Sequence, residues 1–158
     1  MKPEKMSIAG AGPVIAGLTF LYAVAMGLIT HFGPPWLVIR GVPHVWLAAA
    51  GGLLIAVTLV LHVVSARTLL GGFREGRLVT TGVYTVCRNP LYAWWILLGI
   101  PGIAFLLRSW PFLTVPVFMY VVTRIFVRRE EALLEGQFGE EYIAYKRRVN
   151  AIFPTLRK

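Results

Sequence analysis

With 158 residues, 57% of them apolar and only 15% charged, the chain is too poor in charge for an ordinary soluble domain, where about 25% is usual. It contains no aspartate, and its net charge of +9 is not spread as a nucleic-acid binder would spread it. One cysteine and three scattered histidines, His31, His44 and His62, offer neither an internal disulfide nor a metal site.

The first uncharged window, residues 6–39, holds a helical span predicted over about 7–30. It runs well past the 7–15 or so apolar residues of a signal peptide, so a retained helix is expected. Within it, "GAGPVIAG" at 10–17 lacks the spacing of a dinucleotide-binding loop, and small residues there suit close helix packing. Pro34 and Pro35 then break the helix. A second span is predicted over about 44–66, with Gly51 and Gly52 as another close-packing point. His62 falls inside it and calls for a hydrogen-bonding partner on a neighbouring helix. Residues 67–88 form a charged, glycine-punctuated connector, expected to be partly helical and to lie along the membrane interface.

The third span is predicted over about 90–107, beginning at Pro90, a residue suited to a first helical turn. "GIPG" at 99–102 predicts a kink. "RSWP" reverses the chain, with Trp110 as an interfacial anchor, into a fourth span over about 111–127 that forms a tight hairpin with the third. Beyond Val127 the helix is expected to continue out of the membrane. Val127, Leu134, Phe138, Tyr142, Tyr145 and Val149 recur at helical spacing. "GQFG" interrupts that pattern, and a second short helix should fold back across the mouth of the bundle. The whole chain, 1–158, is thus read as one all-α, polytopic membrane domain of about four spans with an amphipathic tail.

Four spans place two Lys at the N-terminus, four Arg of the connector and eight basic residues of the tail on one side, fourteen of sixteen in all. Only Arg40 and Arg108 fall opposite. This positive-inside pattern predicts a multi-pass protein of the cell membrane with both termini cytoplasmic. It also assigns the basic excess to membrane lipids and away from nucleic acid.

The informative polar residues converge on one level. Arg88 and Asn89 sit where the third span enters the membrane, Glu130 and Glu131 where the fourth leaves it, and Tyr84 and Tyr92 flank the entry. "GVYTVCRNPLY", followed some forty residues later by "RREEALLEGQFGEEYIAYKRRV", resembles the signature of the isoprenylcysteine carboxyl methyltransferase and phospholipid methyltransferase superfamily. That signature is G-x-Y-x-x-x-R-[HN]-P-x-Y, then E-E-x-x-L-x-x-x-F-G-x-x-Y-x-x-Y, and every fixed position is met from Gly82 through Tyr145. The likeness covers about the C-terminal half, with a cofactor-motif region at 78–149.

The resemblance implies an integral membrane enzyme that uses S-adenosylmethionine without a Rossmann fold. A lipophilic, membrane-resident acceptor is implied too: an isoprenylcysteine-type carboxylate, a phospholipid amine, or a small hydrophobic thiol or acid. It implies that Arg88 holds the cofactor's carboxylate and that Glu130 and Glu131 serve its ammonium or ribose, with these three nearest the chemistry. Asn89 and Pro90 belong to the same wall. Asn89 stands where many members have histidine, so it can hydrogen-bond but not titrate. Tyr84 and Tyr92 are expected at the adenosine, and Tyr142 and Tyr145 are expected to close the pocket from the tail.

Each residue also has a plainer reading. Arg88 can snorkel to headgroups, Glu130 and Glu131 can form a solvated face, and Asn89 can cap the third helix. Tyr84 and Tyr92 suit an interfacial belt, Tyr142 and Tyr145 amphipathic packing, and Cys87 plain packing. Two other function classes stay open on sequence grounds: a membrane reductase using a nicotinamide cofactor, and a non-catalytic membrane scaffold.

Overall fold

A computed structural model describes residues 10–155. Among the described residues five main helices follow one another, with short 3-10 turns at Pro35–Leu37 and Gly82–Thr85: α1 (Gly12–Phe32), α2 (His44–Arg74), α3 (Pro90–Leu106), α4 (Pro111–Phe138) and α5 (Glu140–Arg148). Among the described residues there is no strand, only a single bridge between Val38 and Ser109. The expected start of the first span at residue 7, the lysines at 2 and 5, and the basic residues 157 and 158 lie outside the described residues.

α1, α2 and α4 are long and apolar enough to cross a bilayer, whereas α3 is shorter. At 1.5 Å per residue α3 spans about 25 Å, against a hydrocarbon core of about 30 Å. Side-chain exposure runs opposite to that of a soluble protein. α1 buries only Ile15 and Thr19, while Phe20, Leu21, Leu53, Val60 and Val117 are all more than 60% exposed. Such faces are stable against lipid and not against water. The chain is a polytopic helical membrane protein.

Packing pairs α1 with α4 and α2 with α3. Where α2 crosses α3 the backbones touch: a Cβ on Gly51 would lie 2.6 Å from the Gly102 carbonyl oxygen, and one on Gly102 would lie 2.9 Å from that of Gly51. Gly51 is therefore the close-packing residue expected there; its neighbour Gly52 faces open space, as does Gly17 of α1. The kink expected at 99–102 takes the form of one widened turn. Ile100 N–H reaches back five residues to the Trp95 carbonyl just ahead of Pro101, which has no N–H to offer.

The two ends of the bundle are closed differently. At one end the α1–α2 loop is zipped to the α3–α4 turn: Ile39 N–H donates to Arg108 O at 2.7 Å and Trp110 N–H to Leu37 O at 3.0 Å. At the other, the segment after α5 folds back on the entry to α3. Arg88 N–H donates to Asn150 O (2.8 Å), Asn89 N–H to Ala151 O (3.0 Å) and Thr155 N–H to Val86 O (2.8 Å). α2 outruns its expected end and continues to Arg74. Its polar groups anchor the connector and α3, since Trp94 Nε1–H donates to Ser65 Oγ (2.9 Å) and Trp95 Nε1–H to His62 Nδ1 (3.3 Å). The partner sought for His62 is thus Trp95.

Candidate functional site

Arg88 stands between two cavities. Pro90 starts α3 immediately after it, and Asn89 occupies the cap position, its carbonyl accepting the N–H groups of Tyr92 and Ala93. The Asn89 side chain does not cap; its Nδ2 donates to Ala151 O at 3.1 Å and so helps hold the tail. Arg88 is engaged more fully. Its Nη2 meets Glu131 Oε1 at 2.6 Å, and its Nη1 donates to Lys146 O (2.9 Å) and Val149 O (2.6 Å) at the end of α5. A guanidinium there also meets the negative end of the α5 dipole. The Arg88 and Glu131 side chains are only 8% and 13% exposed, and Arg88 Nε is buried with no partner among the described residues.

Glu130 and Glu131 are adjacent on α4, so their side chains diverge by about 100°. Glu131 turns to Arg88 and to Lys146, whose Nζ is 3.1 Å away and also meets Glu135 at 2.6 Å. The bond to Glu135, reinforced by Glu131, holds the Lys146 ammonium above its usual pKa. Glu130 turns the other way and accepts the N–H of Ala11 at the start of α1. Gly10 makes this approach possible: at φ +46° it carries no side chain, and a Cβ there would overlap the Glu130 carboxylate. Gly12 leaves room for the Tyr92 hydroxyl, 3.5 Å from where its Cβ would be.

The larger cavity, about 780 Å³, is walled by Tyr84, Arg88, Asn89, Pro90 and Tyr92 from the first motif half and by Glu130, Leu134 and Phe138 from the second. α2 contributes His62, Leu69 and Phe73, and Trp95 and Met119 add to the apolar wall. The smaller cavity, about 360 Å³, lies across Arg88 and Asn89 and is lined by Glu131, Lys146, Arg124 and Arg128 among others. Among the described residues, no group of three or more His, Cys, Asp or Glu could hold a metal ion.

Of the nine residues expected at the site, six line the large cavity and Glu131 lines the small one. Tyr142 and Tyr145 line neither. They are buried with their rings edge to face, centroids 6.2 Å apart, and the Tyr145 hydroxyl donates to Tyr84 O at 2.6 Å. Their place is thus under the tail, fixing α5 to the connector, and not across a pocket mouth. Burial pushes the phenols of Tyr84, Tyr142 and Tyr145 well above their usual range. Cys87 is a packing residue as the plainer reading has it, fully buried with its thiol pushed up to about 11 by that burial.

Sequence reasoning missed Gly10, Gly12 and Trp95 as cavity residues and Val149–Ala151 as partners of the motif. The glycine-rich run at the start of α1 is a signal for the first two, although its spacing points equally to helix packing. Nothing local marks the tail, because its groups pair through backbone carbonyls.

The description "phospholipid methyltransferase" belongs to the family model that matches residues 44–141, more than half of the chain. The protein-S-isoprenylcysteine O-methyltransferase of Rattus norvegicus is 36% identical over 124 residues, 71% of this chain and 43% of the relative. That of Mus musculus is 41% identical over 83 residues, 51% of this chain and 28% of the relative. A cobalt-zinc-cadmium resistance protein, CzcN, of Cupriavidus metallidurans is 34% identical over 88 residues, 55% and 40% of the two chains. The matched region spans less than half the length of each of these curated relatives. By the extent of the family match, which takes in both motif halves up to Glu141 and the helices between them, the chain belongs to the phospholipid methyltransferase family.

Proposed function

We propose that this protein is an integral membrane methyltransferase that moves a methyl group from S-adenosylmethionine to a lipophilic acceptor, with its site and both termini on the cytoplasmic side of the cell membrane. The observation that carries the reading is the cavity of about 780 Å³, polar at Arg88, Asn89, Tyr92 and Glu130 and apolar along α2 and Trp95, with both motif halves in its wall. Its volume falls within the roughly 300–1,000 Å³ of small-molecule sites.

S-adenosylmethionine supplies a methyl group already activated on a sulfonium. The residues present fit that donor. Glu130 offers a carboxylate to its cationic groups and is held toward the cavity by the Ala11 N–H. Tyr84 and Tyr92 offer ring faces for a flat base. Arg88 offers a guanidinium for a carboxylate, and its buried Nε has no partner among the described residues, which leaves it donor capacity to spare. These residues therefore bind and orient, and closure against water does the rest, as alignment is the main demand of a transfer whose leaving group is activated.

The apolar wall formed by Leu69, Phe73, Trp95 and Met119 suits a hydrocarbon chain reaching in from the bilayer. The acceptor's proton decides what else is needed. A carboxylate arrives deprotonated and needs no base, whereas an amine must shed a proton. Asn89 cannot take it, and the lining groups able to do so are Glu130 and His62.

Calorimetry on the detergent-solubilised chain tests the donor. S-adenosylhomocysteine should bind, and indifference to it with uptake of a reduced nicotinamide would replace the reading by a reductase. Labelled donor fed to membranes should deliver label to a lipid or prenyl-cysteine fraction; label in no lipophilic fraction would overturn the acceptor class.

A further inference from the structure

We propose that the smaller cavity is a binding site for the phosphodiester headgroup of an anionic membrane phospholipid, separate from the reaction cavity and independent of donor and acceptor. Its charge does not balance. Four cations line it, Arg88, Arg124, Arg128 and Lys146, against two carboxylates, Glu131 and Glu135. Those carboxylates are taken by Arg88 and Lys146. Arg124 and Arg128 pair with no carboxylate among the described residues, so two positive charges remain. They stand one turn apart on the same face of α4, where the helix passes from apolar to charged sequence. Behind them the fully buried Thr123 adds a wall hydroxyl with no hydrogen-bond partner among the described residues.

The occupant is indicated by what leads to the cavity. Val117, Val121 and Ile125 are 64%, 49% and 59% exposed and recur every four residues, a lipid-facing stripe that runs directly to Arg124 and Arg128. Acyl chains laid along that stripe deliver their phosphate to the two guanidinium groups, which bind phosphate oxygens with matched planar geometry. A freely soluble anion makes no use of the stripe. A zwitterionic headgroup brings its own ammonium into a cavity that already carries surplus cations.

The test uses the full chain purified in detergent and two double variants that remove equal charge. Arg124→Gln/Arg128→Gln empties the cavity of its surplus, and Arg147→Gln/Arg148→Gln removes two exposed arginines of α5 that line neither cavity. Retention of phosphatidylglycerol and phosphatidylcholine is read by native mass spectrometry. Wild type should prefer phosphatidylglycerol; the first variant should lose about 10–30-fold of that preference and the second less than about 2-fold. Equal losses in both variants, or no preference in wild type, would reduce the site to diffuse surface charge and overturn it. Displacement of the lipid by inorganic phosphate at comparable concentration would overturn the lipid assignment in favour of a free-anion site. Should the double variant fail to fold, the single Arg124→Gln and Arg128→Gln variants carry the same readout. S-adenosylhomocysteine binding, measured alongside, should be unchanged, so that loss of the proposed reaction and loss of this site are told apart.

Discussion

On one side of Arg88 and Asn89 lies a large chamber with Glu130 at its polar end; on the other lies a small one crowded with four cations and two carboxylates. Two neighbouring residues on one helix supply the acids that distinguish them. Glu131 is answered by Arg88 and Lys146 and is nearly buried, so its charge is consumed in holding α4, α5 and the entry to α3 together. Glu130 accepts one backbone N–H and lines the large cavity, with no Lys or Arg paired to it among the described residues. A paired motif of two glutamates thus divides into an acid tied into the fold and one that lines the large cavity, because one helical step turns the side chain through about 100°.

The comparison breaks most visibly at Arg88. Arg88→Ala leaves Glu131 short of its closest cation and two α5 carbonyls without their donor, and should cost about 3–5 kcal/mol of unfolding stability in mild detergent. A loss below about 1 kcal/mol would mean that the guanidinium is free for a ligand and does little for the fold. The two glutamates come next. Glu130→Gln should weaken S-adenosylhomocysteine binding by about 10-fold or more, the worth of a charge-assisted contact, while stability stays within about 1 kcal/mol. Glu131→Gln should do the reverse. If calorimetry and unfolding give the opposite assignment, the division drawn above is inverted.

Tyr145→Phe sharpens the boundary of the site. It removes the bond to the Tyr84 carbonyl and should cost about 0.5–1.5 kcal/mol with donor affinity unchanged. A fall in affinity as large as that of Glu130→Gln would return Tyr145 to the pocket. The smallest effects are in pH. Lys146, Tyr84, Tyr142, Tyr145 and Cys87 all hold their protons more tightly when folded. Stability from them is complete below their unfolded pKa values, about 8.5 for Cys and 10 or above for Tyr and Lys, and is lost as pH rises beyond. Denaturant midpoints should be flat near neutrality and fall in the alkaline range. The buried Cys87 thiol should resist maleimide in native protein at pH 7.5, and rapid labelling would show that the segment before Arg88 opens.

Much of the fold was legible because hydropathy is a local property. Uncharged windows located the long helices, Pro34 and Pro35 marked the break, and the span-three-to-four hairpin brought Arg88 to the level of Glu130 and Glu131. Arg67 ended the apolar window of α2 but not its helix, which runs on to Arg74, since arginine is a good helix former once outside the bilayer. Gly51 and Gly52 looked alike until Gly102 chose between them.

By itself, then, the sequence determined a helical membrane chain and a family signature in two distant halves, because both are written in residue types and spacings along the chain. Only the tertiary structure decided which glutamate meets Arg88, that the start of α1 closes on the other, and that the tail's backbone carbonyls engage Arg88 and Asn89 while Tyr142 and Tyr145 retire into packing. Those choices depend on side-chain direction and on backbone groups that every residue possesses, and neither leaves a mark in the order of amino acids.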